Sequence, residues 1–338
     1  MESSGSVIHV ESNRMSQRKR TVIDMLRASP GFISGETISS ALGISRNAVH
    51  KHIKTLRSRG YRIVGVSRRG YRLEEEPCRL DIPVVSEMTR HRLLGRALRY
   101  YDEIDSTNLE AKNLAADGAP EGTVVIAESQ SAGRGRLGRR WTSPAGKGLL
   151  FSVILRPDLP MADVHLMTLV AAAAVAEAVE QQTGLSVLIK WPNDLYIDEK
   201  KVGGILLEVS GEQDEVDWVV VGIGINVNTE FTELPVVLRR TAVSLKMASD
   251  QAVDRSELLA RILLSLESMY LDATREGFAG ALRSFRSRDL LNKRTISVQT
   301  REGPVVGEAA GIDDRGALLV QLPHRHVRRF HAGDVTLH

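Results

Sequence analysis

The chain has 338 residues, 42% hydrophobic and 26% charged, with a net charge of +3; that length accommodates two or three domains, and that composition excludes a largely disordered chain. The longest nearly apolar stretch, LMTLVAAAAVAEAV at 166–179, is expected to be too short and alanine-rich to span a bilayer, and the N-terminus lacks a signal peptide's basic start and apolar core, so a cytoplasmic protein with no membrane partner is expected. A single cysteine, Cys78, excludes an internal disulfide and is given no catalytic role.

Residues 1–17 are expected to be unstructured. The first predicted domain, 18–80, opens with Val22, Ile23 and Leu26 at helical spacing, ended by Pro30 and Gly31. Ser34 then caps a second helix that stops at Gly43, and Ser45 caps a third, RNAVHKHIKTLRSRG, closed by Gly60. Val49, Ile53 and Leu56 share one face of that third helix, leaving Arg46, Asn47, His50, Lys51 and Lys54 to point elsewhere. YRIVGVSRRGYRL alternates about SRRG, which suits a short hairpin carrying Arg68 and Arg69, and EEEP with Pro83 reads as a linker.

From Arg46 to Arg72 there are nine basic residues and no acidic one, so with a net charge of +3 the other 311 residues sum to −6. A solvated basic helix is the plain alternative, but ordinary surface helices interleave charge signs, and like charge at this density is relieved by a polyanion. Helix, turn, helix and basic hairpin together predict a winged helix-turn-helix whose third helix enters the DNA major groove. Its expected DNA contacts are Ser45, Arg46, Asn47, His50, Lys51, Lys54, Arg68 and Arg69. His50 and His52 have no cysteine or acidic partner nearby in the sequence, which argues against a metal site.

The second predicted domain, 84–288, alternates helices and strands: DSTNLEAKNLAADG as a capped helix, TVVIAES and GLLFSVIL as strands, then a long helix ending at Gly184. SVLIKWPND, LYIDEKKVGGILLEV and VDWVVVGIGINVN follow as apolar segments joined by turns too short for parallel crossovers, which predicts a mixed, largely antiparallel sheet covered by helices. The third predicted domain, 291–338, contains TISVQT, PVVGEAAGI, ALLVQLP and VRRFHAG as short strands of a small β-barrel that leans on the middle block. The fold class is α+β, multidomain.

SAGRGRLGRRW at 131–141 packs four arginines among three glycines. GRGRLG matches the GxGxxG dinucleotide pattern, but the helix that pattern requires does not follow: Pro144, Gly146 and Gly148 exclude it, and the next strand ends in Arg156 in place of an acid. No Walker A sequence occurs. Lys190 and Asn193 of KWPND, Lys201 of KKVGG and Asn226 of GINVN stand at strand ends or turns, gathering cations and amides about one anion, and Gly203 with Gly204 would let a flat ligand lie on the sheet. The loop is expected to be flexible when empty and to close its arginines over phosphate oxygens when a nucleotide binds.

DSTN, GRGRLGRRW, KWPNDLY, KKVGGILLE and GIGINVN, in this order, resemble the biotin protein ligases, specifically the bifunctional type that also represses the biotin operon. The resemblance runs from about residue 18 to 338 and includes GISRNAVHKHI in the recognition helix. It implies a class II synthetase/biotin-lipoate ligase-like central domain, an SH3-like C-terminal barrel, and a two-step reaction: biotin and ATP give biotinyl-5′-AMP, and a lysine of a biotin carboxyl carrier protein domain takes the biotin.

By the family pattern, biotin would be held by Ser106, Thr107, Asn108, Gln130, Arg134, Gly135, Arg136, Lys201 and Gly204, and the adenylate by Arg136, Arg139, Trp141, Asn193 and Asn226. Lys201 would bridge carboxylate and α-phosphate, and Arg136 would retain the adenylate. Mg²⁺ would come with ATP, no protein metal site is expected, and adenylate would favour a homodimer on operator DNA. One departure stands out: the repressor type closes over adenine with a tryptophan, which TEFTELPVVLRRTAVSLK lacks, so Phe231 or Val236 is expected to take its place. Two rivals are a lipoate ligase-like acyl-adenylating enzyme and a DNA-binding biotin sensor without turnover; the presence of Lys201 and Arg136 favours the ligase.

Overall fold

The computed structural model describes residues 21–58, 61–76, 79–212, 214–300 and 302–338. The expectations for residues 1–17, Arg59, Gly60 and Cys78 lie outside them.

The N-terminal unit is set by its helix caps. Thr21 and Asp24 form a reciprocal capping box at α1 (Val22–Ala28). Ser34 caps α2 (Gly35–Leu42), which ends at Gly43 with φ 65°, and Ser45 Oγ accepts from Ala48 N at 3.2 Å at the start of α3 (Arg46–Ser58). Val49 and Ile53 bury their face of α3 against Val22, Leu26 and Ile38. The hairpin of β1 (Arg62–Val66) and β2 (Gly70–Glu75) follows as expected, and Ile33 exchanges two 2.9 Å backbone bonds with Tyr71, tying the wing to the first turn.

Pro83 does not lie in a linker. It sits in the first turn of α4 (Ile82–Met88), where a missing N–H is free of cost, and Leu80, Ile82 and Val85 bury into the central core.

The central sheet is built from β3 (Ala97–Tyr101), β4 (Thr123–Ala127), β5 (Gly148–Leu155), β6 (Leu188–Lys190), β7 (Asp194–Ile197), β8 (Lys200–Ser210) and β9 (Trp218–Asn226). Its order is β3-β4-β5-β9-β8-β7-β6, antiparallel throughout except for the β3–β4 pair. LYIDEKKVGGILLEV, read as one apolar segment, is two strands: Asp198 and Glu199 both take positive φ in the two-residue turn of a hairpin.

Helices α5 (Thr107–Ala116) and α6 (Leu166–Thr183) pack on opposite faces of this sheet. The segment Met161–Thr183 is long and apolar enough to cross a membrane, contrary to the expectation from its alanine content, but 72% of its apolar window is buried inside the protein. It is a core helix, flanked by α8 (Arg255–Glu276) and α9 (Ala279–Arg286), which come after the short α7 (Leu245–Ser249). α5 covers only part of the second face, packing Ala111 and Ala115 on Val125, Ile154 and Val220. Beyond Val220 the same face of β9 carries Gly222, Gly224 and Asn226, two residues apart each time.

The C-terminal unit has five antiparallel strands: β10 (Thr295–Thr300), β11 (Gly303–Ile312), β12 (Leu318–Gln321), β13 (Val327–Phe330) and β14 (Val335–Leu337), in the order β13-β12-β11-β10-β14. The fifth strand comes from the tail after VRRFHAG. Ile296, Val298, Leu318 and Val335 belong to the same buried cluster as the central domain, and Trp191 Nε1 donates to Gly316 O at 3.0 Å, so this unit does lean on the middle block.

Candidate functional site

Gly222 and Gly224 make the floor of a cavity of about 350 Å³ on the open half of the sheet face. A Cβ on Gly222 would stand 1.8 Å from Asn108 Oδ1, and one on Gly224 would stand 2.7 Å from the Trp141 ring. Both positions admit only glycine without displacing a side chain that lies flat on the sheet. The sequence reading singled out Gly203 and Gly204 and passed over these two; the period-two GxGxN pattern of β9 was the available signal.

Every residue expected to hold biotin or the adenylate lines this one cavity. On its α5 side, Ser106 caps the helix. Gln130 Oε1 accepts from Thr107 N at 2.7 Å and lies 3.1 Å from Thr107 Oγ1, and Ser152 Oγ lies 2.8 Å from Thr107 Oγ1 and 2.6 Å from Asn108 Oδ1. Thr107, Asn108 and Ser152 are buried, so this wall is a preformed array of polar groups.

The arginine loop forms the opposite lip, and it is folded rather than slack. Gly135 N donates to Arg139 O at 2.8 Å, Trp141 N to Gly133 O at 3.0 Å, and Arg134 bridges to Arg140. Leu137 and Gly138 turn the loop with φ of 56° and 72°. Each arginine is directed differently: Arg136 Nη1 donates to Asn193 Oδ1 at 2.8 Å, Arg139 pairs with Asp334 of the C-terminal unit, Arg140 donates to Ser131 O, and Arg134 stays exposed at the cavity rim. Burial pulls the Arg136 guanidinium below its ordinary pKa, against the opposing pull of Asp194 and Asp334.

Lys201 Nζ lies 2.6 Å from Asp194 Oδ1 and 5.7 Å from the centre of the Trp141 ring. Lys190 stands 5.9 Å from the Tyr196 ring; burial lowers its pKa while Asp194 and Asp334 oppose that shift. Burial, with Asp194 and Asp334, pushes the Tyr196 hydroxyl up to about 12. Asp194 and Asp334 were not anticipated: Asp194 hid inside KWPND, and Asp334 comes from a separate domain.

The backbone of Lys201 also holds the segment expected to cover adenine, through Lys201 N to Thr241 O at 2.8 Å and Val243 N to Lys201 O at 2.9 Å. Asn226 Nδ2 donates to Val243 O at 3.2 Å. Phe231 and Val236 do not line the cavity. Phe231 packs beneath Arg239 and Val236 is 74% exposed, whereas Leu234 and Leu238 face inward, so the apolar cover comes from two leucines.

On the N-terminal unit, Ser45, Arg46, Asn47, His50, Lys51, Lys54, Arg68 and Arg69 are all exposed. The apparent absence of acids needs correction, because folding brings them from outside the basic stretch: Arg46 pairs with Glu36, Arg62 with Glu74 and Glu75, and Arg72 with Glu74. Arg57 donates to Ile63 O and serves the fold. Lys51, Lys54, Arg68 and Arg69 have no ion-pair partner among the described residues, and Arg69 stacks on Phe32 at 4.5 Å. The unpaired basic face is therefore narrower than nine residues, and it spans α3 and the wing.

Three family descriptions match the chain: the biotin/lipoate A/B protein ligase family at residues 100–226, an HTH domain at 18–72, and the biotin protein ligase C-terminal domain at 294–337. The chain is 40% identical over 324 residues to the bifunctional ligase/repressor BirA of Bacillus subtilis, covering 96% of this chain and 99% of that protein. It is 33% identical over 296 residues to BirA of Escherichia coli, covering 88% and 90%. Among solved structures, the biotin protein ligase from Aquifex aeolicus in complex with biotin and ATP is similar with a TM-score of 0.62 at 31% identity, over 72% of this chain and 98% of that one. With a polar wall, a cationic lip and an exposed basic helix on one chain that matches such relatives end to end, the protein belongs to the biotin protein ligase family, in its bifunctional ligase/repressor branch.

Proposed function

We propose that the cavity binds biotin along Ser106, Thr107, Asn108 and Gln130, and the nucleotide along Trp141, Asn193 and Asn226, with Arg134, Arg136 and Lys201 at the junction. The observation that carries this reading is the meeting of Lys201, Arg134 and Arg136 at a single cavity whose other wall is uncharged and polar.

The chemistry requires that charge. A biotin carboxylate oxygen attacks the α-phosphorus of ATP, the bond from that phosphorus to the bridging oxygen breaks, and pyrophosphate leaves. Two anions must approach, and fixed cations at the site lower that barrier. Lys201, held by Asp194 and placed over Trp141, is positioned to neutralise the carboxylate and phosphate together. In the second step a neutral lysine amine of the carrier domain attacks the acyl carbon, the acyl–oxygen bond to phosphate breaks, AMP leaves, and the amine loses its proton. The mixed anhydride is already activated, so no nucleophile of this chain takes part. Trp141 gives a flat apolar surface for adenine, opposed by Leu234 and Leu238.

No cluster of three or more His, Cys, Asp or Glu side chains suited to a resident metal occurs among the described residues. Asp194 and Asp334 line the cavity, paired with Lys201 and Arg139, and would be the carboxylates to hold a Mg²⁺ ion bound with ATP. Such an ion would supply charge neutralisation to the triphosphate.

The exposed basic face supports operator DNA as a second partner. Leu137, Val236 and Val237, each more than 70% exposed near the cavity mouth, support a homodimer that forms once adenylate has drawn the surrounding segments together. ATP and carrier domains are found in the cytoplasm, and the reading places the protein there. The decisive experiment incubates the full chain with biotin, Mg-ATP and a biotin carrier domain and follows the carrier by intact-mass spectrometry. One added biotinyl group is expected, and an unmodified carrier beside folded protein would overturn the ligase reading.

A further inference from the structure

Behind the biotin-side wall runs a line of short hydrogen bonds that ends on an ion pair. Asn108 and Lys112 are four residues apart on α5 and so share one side of the helix. Both meet Glu208 of β8, Asn108 Nδ2 at 2.9 Å from Oε2 and Lys112 Nζ at 2.8 Å from Oε1. Asn108 Nδ2 also donates to Leu206 O at 3.3 Å. An ionised carboxylate and a carbonyl only accept, so the Asn108 amide has one orientation, nitrogen toward β8 and oxygen toward Ser152. Burial raises the Glu208 pKa, but the hydrogen bonds from Lys112 and Asn108 outweigh it and hold the carboxyl below its ordinary value, consistent with the ionised form.

The rest of the line follows from counting hydrogens. Ser152 Oγ lies 2.6 Å from Asn108 Oδ1 and 2.8 Å from Thr107 Oγ1. A hydroxyl carries one hydrogen and an amide oxygen none, so the Ser152 hydrogen goes to Asn108, and the Thr107 hydrogen goes to Ser152 Oγ at 2.8 Å in preference to Gln130 Oε1 at 3.1 Å. Donation runs Thr107 to Ser152 to Asn108 to Glu208, and Thr107 Oγ1 keeps its lone pairs for a ligand. Gln130 Oε1 is taken by Thr107 N at 2.7 Å, which leaves the Gln130 amide nitrogen to donate. The wall then offers an acceptor beside a donor, the complement of a cyclic urea, whose N–H sits beside its C=O.

We infer that Glu208, which does not line the cavity, is a positioning residue that sets the donor–acceptor order of this wall and with it the preference for the ureido ring. The inference rests on the reading that biotin occupies the cavity. Without the carboxylate, only the longer 3.3 Å contact to Leu206 O still orients the Asn108 amide, and its N–H can turn toward Ser152. The Ser152 hydrogen then takes a Thr107 lone pair, and the Thr107 hydrogen is left to Gln130 Oε1 at 3.1 Å or to the cavity, so the wall offers a weaker acceptor to a ring that donates. Ser152, Thr107 and Asn108 are 0%, 4% and 4% exposed, so water cannot repair the mismatch.

The test uses the full chain in biotin-dependent exchange of pyrophosphate into ATP, with KM for biotin and for ATP measured separately beside thermal melting. Glu208→Leu should raise KM for biotin roughly ten- to hundredfold and leave KM for ATP within about twofold. Glu208→Gln, whose side-chain oxygen still accepts from Asn108, should recover most of that loss. An unchanged KM for biotin in Glu208→Leu overturns the inference, as does a Gln variant as impaired as the Leu one. A joint rise in both KM values with a lowered melting temperature also overturns it, marking Glu208 as merely structural. The wild type is run first: no exchange with biotin removes the assignment of the cavity and this inference together, whereas exchange in the wild type with an insensitive Leu variant removes the inference alone.

Discussion

Arg136 donates from Nη1 to Asn193 Oδ1 at 2.8 Å and from Nη2 to Gly333 O at 3.4 Å, so one side chain joins the arginine loop, the turn after β6 and the C-terminal unit. Asn193 is in turn locked, giving its Nδ2 hydrogen to Ile205 O at 2.9 Å. The loop is therefore held at the cavity by bonds that a phosphate oxygen can replace.

On the proposed reading, replacing Arg136 with alanine would remove a charge-assisted contact to the adenylate of about 1.5–3 kcal/mol. The kcat/KM for biotin-dependent exchange should fall about ten- to hundredfold, and biotinyl-adenylate should escape into solution ahead of carrier labelling. Chromatography of the free adenylate reads this directly. Retention equal to wild type would show that Arg136 does not close the site.

Gly224→Ala would place a Cβ 2.7 Å from Trp141 Cε2 and force the indole off the sheet. KM for ATP should rise several-fold while KM for biotin changes little, because the wall proposed for biotin, with Asn108, lies over Gly222. Calorimetric titration with a non-hydrolysable ATP analogue checks it. Unaltered nucleotide affinity would take Trp141 out of the adenine site.

On the DNA side, Lys51→Ala and Lys54→Ala should each lower the slope of log affinity against log salt by about 0.9. Arg57→Ala should leave that slope alone and lower the melting temperature, since Arg57 donates at 2.9 and 2.6 Å to Ile63 O at the root of the wing. Operator titrations at four or five salt concentrations separate the two behaviours.

Glu128 and Arg255 form an ion pair at 2.8 Å with side chains only 7% and 2% exposed. Glu128 also accepts from Leu80 N at 2.7 Å and Tyr100 Oη at 2.8 Å, so the chain leaving the DNA-binding unit is tied to the strand that leads into Gln130. Breaking a buried pair from one side strands the other charge, and Glu128→Ala should cost about 3–5 kcal/mol in denaturant unfolding. A cost below about 1 kcal/mol would mean that water or a neighbouring group takes over the Arg255 charge.

Read alone, the amino-acid chain determined the local features: the caps at Ser34 and Ser45, the left-handed stop at Gly43, the apolar face of α3 and the largely antiparallel character of the central sheet, though not the split of β7 from β8. Those depend on neighbours a few residues away, through capping, backbone sterics and periodicity. Its motifs also named side chains that meet, since DSTN, the arginine loop, KWPND, KKVGG and GINVN all line one cavity. Tertiary structure alone decided the partners: Asp334 reaching Arg139 from another domain, Glu36 and Glu74 cancelling part of the basic stretch, Leu234 and Leu238 in place of Phe231 and Val236, and Glu208 behind Asn108. Electrostatic and hydrogen-bonding partners are chosen by distance in space, and linear order carries no record of that distance until the sheet and its helices have packed.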